Sequence, residues 1–90
     1  MRFEWDPRKA AANLTKHRVA FEEAATAIRD DFAAAVRDPD HSLSEYRLIT
    51  FGISSAGRLL MVSQTERGDT IRIISARLAT RMERKIYEEG

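Results

Sequence analysis

The stretch TIRIISARLATRMERKIY, residues 70–87, decides how the rest of the chain is read. It opens as a strand, because Ile71, Ile73 and Ile74 are β-branched and only Arg72 interrupts them. It then becomes a helix: Thr80 followed three residues later by Glu83 forms a capping box. Arg72, Arg77 and Arg81 span the strand and the switch point, and Arg84, Lys85 and Tyr87 follow on the helix. A short, rigid strand with that many guanidinium groups must place them in water or against an anion.

Working back from this stretch, residues 46–53 and 58–65 read as two more strands. The segments 54–57 and 66–69 separate the three strands, each with one glycine, so the strands form an antiparallel meander. Strict alternation over 70–78 predicts Ile71, Ile73, Ser75 and Arg77 on one side and Arg72, Ile74, Ala76 and Leu78 on the other. Isoleucine on both sides makes this the central strand, at the middle of the sheet. In a meander, Arg47 and Arg72 then gather at one end of the sheet with Arg67, and Arg58 and Arg77 at the other.

The N-terminal half is helical. Phe3 and Trp5 alternate with charged residues as a short strand would. Asp6 and Pro7 fit the N-cap and first position of a helix that runs to Lys16 or His17. Ala10, Leu14 and His17 form its apolar stripe, with Lys9, Asn13 and Lys16 on a neighbouring polar stripe. Two uses are open for His17, a neutral-pH base or a ligand for the last helix carbonyls, and the second is the commoner. Phe21, Ala24, Ala25 and Ile28 give a second amphipathic helix with Glu22 and Glu23 in its first turn, where the helix dipole favours acids. Residues 32–36 read as a short edge strand, although alanine would also let them prolong the helix.

Composition bounds the function. Ninety residues fit one domain, and the absence of cysteine excludes disulfides and thiolate zinc sites. No run reaches the ~20 apolar residues of a membrane span, so a cytoplasmic location is expected. The net charge of +1 divides into −2 over residues 1–45 and +3 over 46–90, which places the basic surplus in the strand-rich half. Asp38, Asp40 and His41 could ligate a hard cation, but an Asp/Pro/Ser cluster is more often a turn, and neither metal nor cofactor is expected.

Several segments together resemble the BrnT toxin family: Phe3-Glu4-Trp5-Asp6-Pro7, Asn13-Leu14-Thr15-Lys16-His17, Phe21-Glu22-Glu23-Ala24, Ile71-Arg72-Ile73-Ile74-Ser75-Ala76-Arg77 and the closing residues 80–87. The likeness covers nearly the whole chain in order. It departs at Ala20, where the family often has a helix-capping Ser, and in the alanine-rich stretch after Asp30.

The resemblance implies an α+β fold like that of RelE-type ribonucleases, over residues 1–90. Such a fold has two N-terminal helices, an antiparallel meander of three to four strands and a C-terminal helix. It also implies an RNA-cleaving toxin that arrests translation and growth. Its partner would be a BrnA-like ribbon-helix-helix antitoxin, through which alone the complex would meet operator DNA.

RNA cleavage without metal needs a deprotonated 2′-hydroxyl, a stabilised pentacoordinate phosphate and a protonated leaving group. Arg72 and Arg77 suit the phosphate, with Arg47 and Arg84 as supporting cations and Lys9 and Lys16 as further phosphate contacts. His17, Glu83 and Tyr87, and also Lys9 and Lys16, are candidates for proton transfer. Each has a structural rival: Glu83 completes the capping box, Arg77 satisfies carbonyls or pairs with an acid such as Glu83, and Tyr87 packs beside Met82 and Ile86. A non-catalytic module binding protein or nucleic acid through the same basic face is the alternative.

Overall fold

A computed structural model describes residues 1–39 and 46–89 of the chain. Its elements in order are β1 (Arg2–Glu4), α1 (Pro7–His17), α2 (Phe21–Ile28), β2 (Ala34–Arg37), β3 (Arg47–Ile53), β4 (Leu59–Arg67), β5 (Thr70–Leu78) and α3 (Arg81–Glu89). The strands form one sheet in the order β1-β5-β4-β3-β2.

The sheet has five strands where three to four were expected, and it is not wholly antiparallel, because β1 runs parallel to β5. The two additions are the three-residue β1 and four-residue β2, each too short to announce a partner. The meander β3–β4–β5 lies where the sequence placed it. The strand β5 is interior, with β1 on one side and β4 on the other, although β4 is the middle strand. A two-residue turn at Gly68 and Asp69 joins β4 to β5, and Gly68 supplies its left-handed φ of 60°.

The alternation expected along β5 fails at one residue. Ser75 pairs with Ser63 and Ile73 with Gln64, so Ile74 is an extra residue in the ladder, a β-bulge. Beyond it the sides exchange. Ala76 joins Ile71 and Ile73 among the buried residues, while Ser75 and Arg77 join Arg72 on the opposite side. Strict alternation had put Arg72 and Arg77 on different faces. The bulge puts them on one.

The core lies between α1, α2 and the first of these sides: Val19, Phe21, Ala24, Ala27, Leu60, Val62, Ile73 and Ala76 are almost wholly buried. Trp5 closes one margin with its ring edge-on to Phe21 at 6.0 Å. The helix α2 lies so near β3 that a Cβ at Gly52 would stand 2.1 Å from the Ala27 carbonyl oxygen. Only glycine fits there.

The helix α1 begins as its sequence dictates, with Asp6 accepting a 2.8 Å bond from the Arg8 N–H and Pro7 at the first position. Its buried face differs from the expected stripe. Asn13 is buried and Leu14 is exposed, because the outer edge of β5 beyond Arg72 has no strand beside it and α1 fills the gap. Asn13 does there what a neighbouring strand would do. Its Nδ2 donates to the Ala76 carbonyl at 2.8 Å, and its Oδ1 accepts from the Ala76 N–H at 3.0 Å. A second bond, 2.9 Å to the Val19 carbonyl, ties the same amide to the link between α1 and α2.

Candidate functional site

The α1–β5 junction leaves a groove of about 230 Å³ lined by Lys9, Ala12, Asn13, Lys16, His17, Ile74 and Ser75. Helical spacing explains the first five, since residues 9, 12, 13, 16 and 17 fall on one side of α1. Asn13 fixes that side against the sheet, so the two lysines and the imidazole must stand over the edge of β5. The bulge supplies the other wall by presenting Ile74 and Ser75 together. Three of the residues singled out in the sequence, Lys9, Lys16 and His17, therefore meet at one place.

His17 makes no side-chain hydrogen bond among the described residues, so the helix-capping use does not apply to it. The end of α1 is closed instead by Arg18 in a left-handed conformation (φ 60°), whose N–H bonds the Leu14 carbonyl. Arg58 holds this corner from below, with one guanidinium N–H on the Arg18 carbonyl at 3.0 Å and the rest of the fork on Glu23. Those bonds from Arg58 hold the Glu23 carboxyl below the usual glutamate range, and Ser54 adds another at 2.6 Å. The helix-end charge expected at Glu23 is thus also the anchor of the β3–β4 turn.

Arg72 and Arg77 share the opposite side of the sheet. Cross-strand register sets Arg47, Thr65, Arg72 and Glu4 in one row across β3, β4, β5 and β1. Arg72 touches Glu4 through a single 3.0 Å contact, and both side chains are exposed. Such an exposed pair is worth at most about 1 kcal/mol.

Arg77 is committed more firmly. Its fork meets both oxygens of Glu83 at 2.8 and 2.9 Å and reaches the Leu78 carbonyl at 3.1 Å. Glu83 also accepts from the Thr80 N–H at 2.8 Å while its own N–H bonds Thr80 Oγ1, so the capping box is complete. The Arg77 fork is the main reason that the Glu83 carboxyl stays ionised below its usual range.

Tyr87 lies apart from both clusters. Its Oη donates to Asp30 Oδ2 at 2.6 Å, and that bond raises its pKa. The ring was expected beside Met82 and Ile86; the carboxylate draws it to the end of β3 instead, where Asp30 also accepts the Ile53 N–H at 2.9 Å. The Ile53 bond is the largest cause of the lowered Asp30 pKa.

Arg84 is exposed on α3, and Arg58 and Arg77 are not gathered as the meander had suggested. They are held by Glu23 and Glu83 on different helices.

Asn13, Ser75 and Asp30 were not identified from the sequence as site or anchor residues. For Asn13 the available signal was its place between Lys9 and Lys16 on a helix facing a strand edge. No group of three or more His, Asp or Glu side chains converges on a metal position among the described residues. Asp40 and His41 lie outside them, and Asp38 is buried with its N–H on the Arg47 carbonyl at 2.9 Å. No helix among the described residues is long and apolar enough to cross a membrane.

Fold and groove together define a small α+β domain with a cation-lined cleft at a sheet edge. The family model for the BrnT ribonuclease toxin of type II toxin–antitoxin systems matches residues 5–83, and the chain belongs to that family. The crystal structure of the Brucella abortus ribonuclease toxin BrnT superposes with a TM-score of 0.69, covering 90% of this chain and 99% of that one at 21% identity. At that identity the likeness is one of fold. No curated protein matches the chain.

Proposed function

We propose that the chain is a metal-independent endoribonuclease that arrests translation and growth until a BrnA-like ribbon-helix-helix antitoxin neutralises it. The complex meets operator DNA only through the antitoxin and represses its own operon. Two helices, a mostly antiparallel sheet and a C-terminal helix in that order support grouping the fold with the RelE type.

The observation that carries the reading is the convergence of Lys9, Lys16 and His17 on the exposed edge of β5. RNA backbone lies along this groove, with the lysines on successive phosphates. Arg72 exchanges Glu4 for a phosphate oxygen and stabilises the pentacoordinate intermediate, assisted from the same face by Arg47. His17 is the proton-transfer group, since its imidazole is in the groove and has no competing bond. Glu83 and Tyr87 serve structure, one as partner of Arg77 and the other as donor to Asp30. Arg77 and Arg84 add positive field from the α3 side.

The test is cleavage of labelled RNA by purified toxin in EDTA. Wild-type protein cuts. Arg72→Ala and His17→Ala each lose at least about a hundredfold in rate, the scale of a general acid–base or phosphate-stabilising group, with unchanged circular dichroism. The Lys9→Ala/Lys16→Ala double variant binds RNA more weakly, with a salt slope shallower by about 1.4, at roughly 0.7 per phosphate contact on a single strand. Salt-dependent binding with no cleavage by wild type would instead identify a binding module, and strict dependence on added Mg²⁺ would remove the metal-free mechanism.

A further inference from the structure

The helix α3 is docked the wrong way round for an ordinary amphipathic helix. Its inward contacts are polar, Glu83 on Arg77 and Tyr87 on Asp30, and none of its residues is buried. Its apolar residues, one helical turn apart, face out: Met82 is 79% exposed and Ile86 43%. A helix normally turns that stripe to the core.

The stripe continues onto the sheet end. One carboxylate, Asp30, accepts the Phe32 N–H at 3.1 Å, the Ile53 N–H at 2.9 Å and the Tyr87 hydroxyl at 2.6 Å, which draws these three segments together. Phe32 is 79% exposed and Ile53 40%, so each of the three segments joined at Asp30 carries an exposed large apolar residue, Ile86 being the one next to Tyr87. Large apolar groups gathered in water mark a surface that another molecule covers.

We propose that this patch, Phe32, Ile53, Met82 and Ile86, is the docking surface for an amphipathic helix of the antitoxin. The inference rests on the toxin–antitoxin reading and adds the place and chemistry of contact. Charge selects the occupant. Arg81 and Lys85 lie in the first half of α3, whereas Glu88 and Glu89 close it. A partner helix lying along α3 therefore carries acids opposite Arg81 and Lys85 and bases opposite Glu88 and Glu89, along one flank of an apolar stripe. The ring of Phe32 is the anchor, as large aromatics usually are in such contacts. This surface shares no residue with the groove lined by α1 and β5.

Phe32→Asp and Met82→Asp change exposed side chains outside the groove, so fold and cleavage should survive. Calorimetry of each purified variant against the cognate antitoxin, taken from the adjoining reading frame, is expected to show at least a tenfold loss of affinity. RNA cleavage and circular dichroism should match wild type. Unchanged affinity in both variants, or no binding by wild-type toxin, would overturn the assignment. Sedimentation of toxin alone provides the other arm: a wild-type dimer that these variants dissolve, with antitoxin binding intact, would give the patch to a second copy of the chain. Antitoxin binding by a wild-type protein that cuts no RNA would refute the ribonuclease reading and leave this surface standing.

Discussion

Two adjacent residues of β5 hold two helices by different chemistry. The backbone of Ala76 is held by Asn13 of α1, and the side chain of Arg77 is held by Glu83 of α3. The first anchor is a neutral amide in a buried place, where a charge would be costly to desolvate. The second is an ion pair in a half-wet place, where charge is tolerated and water weakens it. The consequences differ as well. An amide that satisfies only backbone leaves the cations of α1 free to line a groove. A carboxylate that occupies an arginine withdraws that arginine from the solvent and leaves the apolar stripe of α3 turned outward.

Ala76→Arg breaks this comparison most severely. The bulge turns Ala76 to the helix side, where it is 1% exposed, so this variant puts a guanidinium into the core beside Asn13. An uncompensated buried guanidinium exceeds the stability of a domain this small. The expected result is loss of the cooperative urea transition, whereas strict alternation would leave position 76 facing outward, so a well-folded Ala76→Arg variant would refute the bulge.

Asn13→Ala tests the buried anchor alone. It leaves the Val19 carbonyl and both backbone groups of Ala76 without their partner, at about 1–3 kcal/mol for each group that water does not reach. A loss of roughly 3–5 kcal/mol in urea unfolding is expected, and a loss under about 1 kcal/mol would show that water replaces the amide.

Glu83→Gln tests the half-wet anchor and has the smallest effect, about 0.5–1.5 kcal/mol at pH 7 after solvent screening. The sign of its pH dependence follows from the lowered pKa of Glu83. Because the folded value lies below the ordinary 4.5, the pair contributes fully above that pH and is lost as pH falls through the folded value. Wild type and Glu83→Gln should therefore converge in acid. A difference that persists once the carboxylate is protonated in the folded protein would mean that the carboxylate is not the source.

Much of the fold was legible along the chain. Thr80 and Glu83 announced the start of α3, Asp6 and Pro7 that of α1, and period-two runs between glycine turns gave the meander, because caps, turns and alternation are local physics. The three-residue β1 was legible only as a pattern. Its parallel pairing with β5 closes over most of the chain, and no local signal names so distant a partner. In the site, Lys9, Lys16 and His17 could be singled out as residue types. Their meeting over Ser75 depended on Asn13 finding the Ala76 backbone 63 residues away.

The stretch 70–87 shows the same division within itself. Its residues alone determined a strand that turns into a capped helix, since β-branching and the Thr80–Glu83 exchange act over a few bonds. They also determined that several guanidinium groups would need an anion or water. Only the tertiary structure decided which way those groups point. The ladder to β4 has room for one residue more on β5 than strict pairing allows, so Ile74 bulges and Arg77 crosses to the side of Arg72. It meets Glu83 there because α3 returns along that side.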